Sequence, residues 1–376
     1  QYGLGLYSTG ATSTIHNGAN ITLTGDETIG AYGANGSNIN LTSGTIASTG
    51  NKTTGYYLGG GTASTIASGA KINGIGNEAN GIYVNSGANL TYTGETKVTG
   101  DAAYGLIVDG ASTVNATGGK VTIGGTSGVN GSSSGANSNR GAAGLVVTSG
   151  STLSGNNLNV IADVAGENSV GVYSAGSLAI DSANVSAYDS AVNFYTNGGT
   201  LSIGNNGGTS TVLTGTGANK GALMFYTPSG NILLNGPVNA TVQGSTDTLK
   251  RGTAFYYTGG GTLGTISSYT QLNPTAIASW ARNRFGNGTT STLGNLNLTM
   301  NQDSRLFLTE QVDVALSNTS ATSLFSGLSS TERPNVTGAG SGYRTFMLYH
   351  SHLNVDNAVN LDNTNDPYNL MEISSS

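Results

Sequence analysis

Three histidines, 19 acidic residues and no cysteine are what this 376-residue chain offers for acid–base, nucleophilic or metal chemistry. His350 and His352 stand two apart, which puts both imidazoles on one face of a strand, but a third metal ligand does not follow them, so the pair reads as surface and no metal is assigned. Asp356, Asp362 and Asp366 lie in an Asn-rich stretch and carry the oxygen ligands that calcium takes. The glycine-rich calcium nonapeptide of other β-helices is missing there, and Asp366-Pro367 reads as a turn. No Gly-x-Ser-x-Gly elbow occurs, and Asp189-Ser190 lacks the glycines of a trypsin-like nucleophile. A glycan-cleaving site needs two carboxyl groups flanking one bond. Here the acids come singly and mostly in turns (Asp26-Glu27, Asp101, Glu167). Glycine triplets such as Gly215-Thr216-Gly217 follow from 60 glycines and mark no nucleotide site. The chain is read as non-enzymatic, with no catalytic residue and no cofactor.

Binding chemistry is better represented. The single tryptophan, Trp280, sits beside Arg282, Arg284 and Phe285, and six of the seven arginines fall at or after Arg251. Trp, Tyr and Arg dominate binding hot spots. Trp280, Arg282, Arg284, Tyr343, Arg344, His350 and His352 are therefore the candidate ligand-binding residues. The competing structural reading has Trp280 and Tyr343 plugging a packing irregularity. The formal charge is −6 and all six lysines are isolated, so the phosphate-binding footprint of a nucleic-acid partner is missing.

The elements that must carry these residues are repeats. Glycine, an apolar residue and tyrosine recur at Gly5-Leu6-Tyr7, Gly30-Ala31-Tyr32, Gly55-Tyr56-Tyr57, Gly81-Ile82-Tyr83 and Gly171-Val172-Tyr173. Looser copies occur at Gly105-Leu106-Ile107, Gly144-Leu145-Val146, Asn193-Phe194-Tyr195, Met224-Phe225-Tyr226 and Ala254-Phe255-Tyr256. Taken in chain order with the looser copies, the third positions 7, 32, 57, 83 and 107 are 25, 25, 26 and 24 apart, and such a period marks a solenoid. Between anchors run Ser13-Thr14-Ile15 and Asn20-Ile21-Thr22-Leu23-Thr24, with turns at Asn17-Gly18 and Gly25-Asp26. Three short strands per coil predict an all-β, right-handed parallel β-helix of about a dozen coils, roughly 60 Å long at the usual strand spacing. Only 9% of residues are charged and strong helix formers are scarce. Asn-x-Thr triplets such as Asn40-Leu41-Thr42 read as the outward face of alternating strands rather than as glycosylation sites.

In the anchor strand the apolar parity (Leu4/Leu6, Ile29/Ala31, Val192/Phe194) is expected to face the core. Tyrosine and glycine share the other parity, giving a solvent-facing tyrosine ladder over bare backbone. Residues 1–260 read as regular coils with a flexible insertion near 124–141, which stretches the Ile107–Val146 interval to 39. Residues 261–376 read as less regular β-helix with larger loops. Phe194, Phe225, Phe255 and Phe285, spaced 31, 30 and 30, predict a core phenylalanine stack, and Pro274 to Trp280 predicts a short helix.

The Gly-apolar-Tyr coils from Gly5 to Gly261, with their Thr-Ile and Asn-Leu-Thr followers, resemble passenger domains of bacterial type V autotransporters, most nearly the very large fusobacterial adhesins. Asn360-Leu361-Asp362-Asn363 to Pro367-Tyr368-Asn369-Leu370 resembles segments found there too. The resemblance implies an extracellular rod on the bacterial outer membrane that adheres to other bacteria or to a protein or glycan receptor on host cells. It also implies that the chain is a fragment whose signal peptide and membrane-anchoring C-terminal β-barrel lie elsewhere. Absent cysteine fits passage through an oxidising periplasm. A spacer stalk presenting a distal tip, or a β-helical polysaccharide-degrading enzyme, are the alternatives.

Overall fold

Strands that alternate apolar and polar residues must bury one face, and this chain does so by winding each strand onto its own predecessor. The computed structural model describes residues 3–61, 63–126, 141–217, 220–247, 250–256, 270–271, 274–301, 305–307, 314–316, 325, 327–339, 345–349, 353–355 and 372–374. Among them, parallel strand pairs close a β-solenoid with three faces.

Face A stacks the anchor strands: Leu4–Thr9, Ile29–Ala34, Thr54–Gly59, Asn80–Asn85, Tyr104–Val108, Ala143–Val147 and Val170–Ser174. It continues through the first halves of Val192–Ile203 and Leu223–Leu234 to Thr253–Tyr256. Face B stacks the second strand of each coil, from Thr14–Asn17 to the second half of Leu223–Leu234. Face C stacks the third, from Ile21–Leu23 through Val238–Val242 to Leu296–Asn301 and Asn335–Ala339.

Nine coils between Leu4 and Val242 carry all three strands, somewhat fewer than the dozen that the sequence predicts. The difference arises beyond Val242. Face A goes on through Arg305–Phe307, Thr345–Tyr349 and Glu372–Ser374. The second-strand position instead holds a separate three-stranded sheet, Thr270–Gln271, Val314–Leu316 and Leu353–Val355. Helix α1, Pro274–Arg284, also enters there, where a short helix is predicted. Proline at its first position costs no hydrogen bond, and Arg282 and Arg284 sit in its last turn, where the helix dipole favours positive charge.

The interior is built of columns, one residue per coil. Leu90, Val114, Leu153, Leu178, Leu201 and Ile232 line face B, and Val98, Ile123, Ala162, Val185, Val212 and Ala240 line face C, all buried. Behind the tyrosine column of face A, Ala31, Tyr56, Ile82, Leu106, Leu145 and Val172 run into Phe194, Phe225 and Phe255. Those three phenylalanines stack at 5.6 Å with interplanar angles of 19° and 23°. Phe285 does not extend the stack. It follows α1 and meets Phe225 and Phe255 edge-on, each at 5.4 Å.

The glycine of the repeat lies on the other side from the one its parity predicts. Gly30 and Ala31 are both buried, whereas Ile29 and Tyr32 are partly exposed, so two consecutive residues turn inward where the strand bends. A Cβ on Gly30 would collide with Ile46 Cγ2 and would stand 2.5 Å from the carbonyl oxygen of Gly55 on the next coil. The same crowding recurs at Gly55, Gly81, Gly105 and Gly171. The column then becomes Asn193, Met224 and Ala254, all fully buried, as the coils lengthen to about thirty residues and the cross-section gains room.

Corners are tied by a second kind of column. Asp26, Asn51 and Asn77 each accept, through a side-chain oxygen, the backbone N–H of Asn51, Asn77 and Asp101 one coil on, at 2.7, 3.0 and 3.0 Å. The residues that follow, Glu27, Lys52, Glu78 and Ala102, take left-handed backbone with φ near 55° and donate to the next coil as well.

Candidate functional site

Two surfaces compete for a ligand, and each is set by the columns above. The first is the tyrosine strip on face A. Tyr7, Tyr32, Tyr57 and Tyr83 occupy successive rungs, followed by Ile107 and Val146 and then Tyr173, Tyr195 and Tyr226. All are partly exposed, as the sequence predicts for this column, and Tyr7 is 55% exposed. The first three rings stack nearly parallel: Tyr7–Tyr32 at 5.7 Å and 12°, Tyr32–Tyr57 at 4.8 Å and 8°. Rings stacked along the solenoid cover each other's faces. Tyr83 breaks the pattern, meeting Tyr57 at 86° and 5.5 Å.

A side chain that the sequence reading overlooked explains that break. Tyr83 donates its hydroxyl to Asp109 Oδ2 at 3.1 Å, one coil on, while Thr148 and the Gly110 N–H donate to Asp109 Oδ1. The Thr148 bond above all holds the Asp109 carboxyl below its ordinary range. Burial, reinforced by the Asp109 contact, pushes the Tyr83 phenol up to about 12. This corner is thus anionic and hydroxyl-rich beside an aromatic edge. Its signal in the sequence was weak, because the contact joins residues 26 apart at unequal positions in their repeats.

The second surface is the arginine–tryptophan cluster on α1. Trp280 is only 6% exposed and packs edge-on against Phe255 at 5.9 Å and against Phe285 at 5.4 Å. It closes the interior where the coils become irregular, as the structural reading has it, and shows a partner almost no surface. Arg282 makes a two-bonded pair with the Glu332 carboxylate, 2.9 and 3.1 Å, while Ser329 and the Ser291 N–H also donate to Glu332. Arg282 foremost, and then Ser329, hold that carboxyl far below its usual value. Arg284 donates to the backbone carbonyls of Gly230 and Pro228 at 3.4 and 3.5 Å. The three are committed to holding the helix on the coils. Tyr343, Arg344, His350 and His352 lie outside the described residues, as do Asp356, Asp362, Asp366 and 127–140 of the insertion.

Among the described residues no group of three or more His, Asp or Glu side chains is placed to hold a metal ion, and no helix is long and apolar enough to cross a membrane. Comparison with protein-family models, with curated proteins and with solved structures gave no match.

Proposed function

We propose that this chain is a section of the extracellular rod of a bacterial surface adhesin, similar in repeat style to fusobacterial autotransporter passengers, and that it acts by binding rather than by catalysis. The observation that carries the reading is the tyrosine strip, roughly 40 Å of partly exposed aromatic and aliphatic side chains on a rigid scaffold. Contiguous apolar surface of this kind marks interaction sites on soluble proteins. The partner in this reading is a protein or glycan on a host cell or on another bacterium. Support for a non-enzymatic role comes from the acids themselves: the Asp26 carboxylate serves the corner ladder, the Asp101 carboxylate accepts from the Thr126 hydroxyl, and Glu332 is spent on Arg282.

The test is competition. Purified chain is added to cells adhering to bacteria that display the whole protein. Inhibition supports adhesion through this section, and Tyr195→Ser with Tyr226→Ser should abolish it while strand content is kept. A folded chain that neither binds nor competes leaves the spacer reading, which the commitment of Trp280, Arg282 and Arg284 to packing favours. Release of reducing or unsaturated ends from a glycan panel would overturn both.

A further inference from the structure

We infer that Tyr7, Tyr32 and Tyr57 form an oxidative cross-linking site, in which a peroxidase with hydrogen peroxide joins neighbouring coils through dityrosine bonds. The three phenols stand on consecutive rungs in exact register, Tyr7 opposite Tyr32 and Tyr32 opposite Tyr57, with ring centroids 5.7 and 4.8 Å apart. Tyr7, Tyr32 and Tyr57 all reach solvent at one edge of the column and are open to an oxidant there.

The chemistry closes without a further reagent. Peroxide takes one hydrogen atom from each of two phenols and is reduced to two waters. The two phenoxyl radicals couple between ring carbons ortho to the oxygens, forming one C–C bond, and both rings regain aromaticity as each shifts the hydrogen of its coupled carbon back to its oxygen. The product joins the rings edge to edge and sets its side-chain-bearing carbons slightly farther apart than one strand spacing, so the two rings turn out of the stack as the bond forms. Held side by side, two such groups react at an effective concentration far above that of any second molecule. Tyr83 is the internal contrast: it meets Tyr57 edge-on at 86° and its hydroxyl is held by Asp109.

The experiment treats the 376-residue chain with hydrogen peroxide and a plant peroxidase at micromolar protein, isolates the monomer and maps its peptides by mass spectrometry. The expected result is blue dityrosine fluorescence in the monomer and peptide pairs short of two hydrogens joining Tyr7 to Tyr32 or Tyr32 to Tyr57. These pairs, and Tyr195–Tyr226 with centroids 4.6 Å apart at 35°, should exceed the edge-on Tyr57–Tyr83 and Tyr173–Tyr195 links several-fold. Tyr32→Phe should remove both pairs, Tyr7→Phe only the first, and urea-unfolded chain should lose the preference. Cross-links found only between molecules, or distributed over Tyr83 and Tyr173 as heavily as over the stacked three, would overturn the assignment.

Discussion

The glycine of each repeat is a packing residue, and its substitution tests that directly. Gly55→Ala places a methyl group against Ile72 and 2.8 Å from the Gly81 carbonyl oxygen, so a loss of about 1–3 kcal/mol is expected in urea unfolding. Tyr56 makes the complementary case. Its hydroxyl donates to the Ile39 carbonyl at 2.8 Å inside the core, and burial drives the phenol well above its usual value. Tyr56→Phe removes that buried bond and should cost about 1–2 kcal/mol by the same measurement. The repeat made these glycines visible in the sequence but gave them the wrong side. Strict alternation assumes a straight strand, and at Gly30-Ala31 the chain turns a corner, which no period of two encodes. Asp109 was passed over for a related reason, since its importance comes from a diagonal neighbour.

At the scale of the element, α1 is a plug. Its fit relies on Trp280 against Phe255 and Phe285, so Trp280→Ala should destabilise the chain by about 3–5 kcal/mol, read as an earlier unfolding transition by circular dichroism. The Arg282–Glu332 pair adds a pH signature. Glu332 has its carboxyl depressed in the folded state, so the pair's contribution is complete above the ordinary carboxyl value near 4.3 and fades as pH falls through the lower folded value. Glu332→Gln should therefore lower the melting midpoint at pH 7 and lower it less at pH 2 to 3. Pro274 and the alanine-bearing run Thr275 to Ser279 announced the helix in the sequence, and the phenylalanine spacing announced the stack. Phe285 kept that spacing by coincidence. A count of thirty residues carries no information on whether the path between them is a coil or a helix.

For the whole molecule, a solenoid's stability is a sum of nearest-neighbour terms, so the ends open first. Amide exchange should be slowest in the coils around Leu106, Leu145 and Val172, which have neighbours on both sides, and faster toward Leu4 and beyond Val242. Uniform exchange along the chain would contradict this. The three-strand coil was legible from end to end of its regular part because one residue pattern was repeated at one spacing. The candidate binding surface was less so: rare residues such as Trp280 drew attention to a place where they serve packing, while the commoner tyrosines hold the exposed face. The corner columns carry a further consequence, for how such a chain changes length over generations. Each side-chain oxygen from Asp26 to Asn77 serves only the coil that follows it, so a coil is a self-contained unit of inheritance. Duplicating or deleting one whole coil leaves the corner bonds within the remaining pairs of coils as they were. The direct pairing of Ile107 with Val146 shows that register also survives an interval of 39 residues. Rod length can thus drift in steps of one coil while the surface that each coil displays is kept.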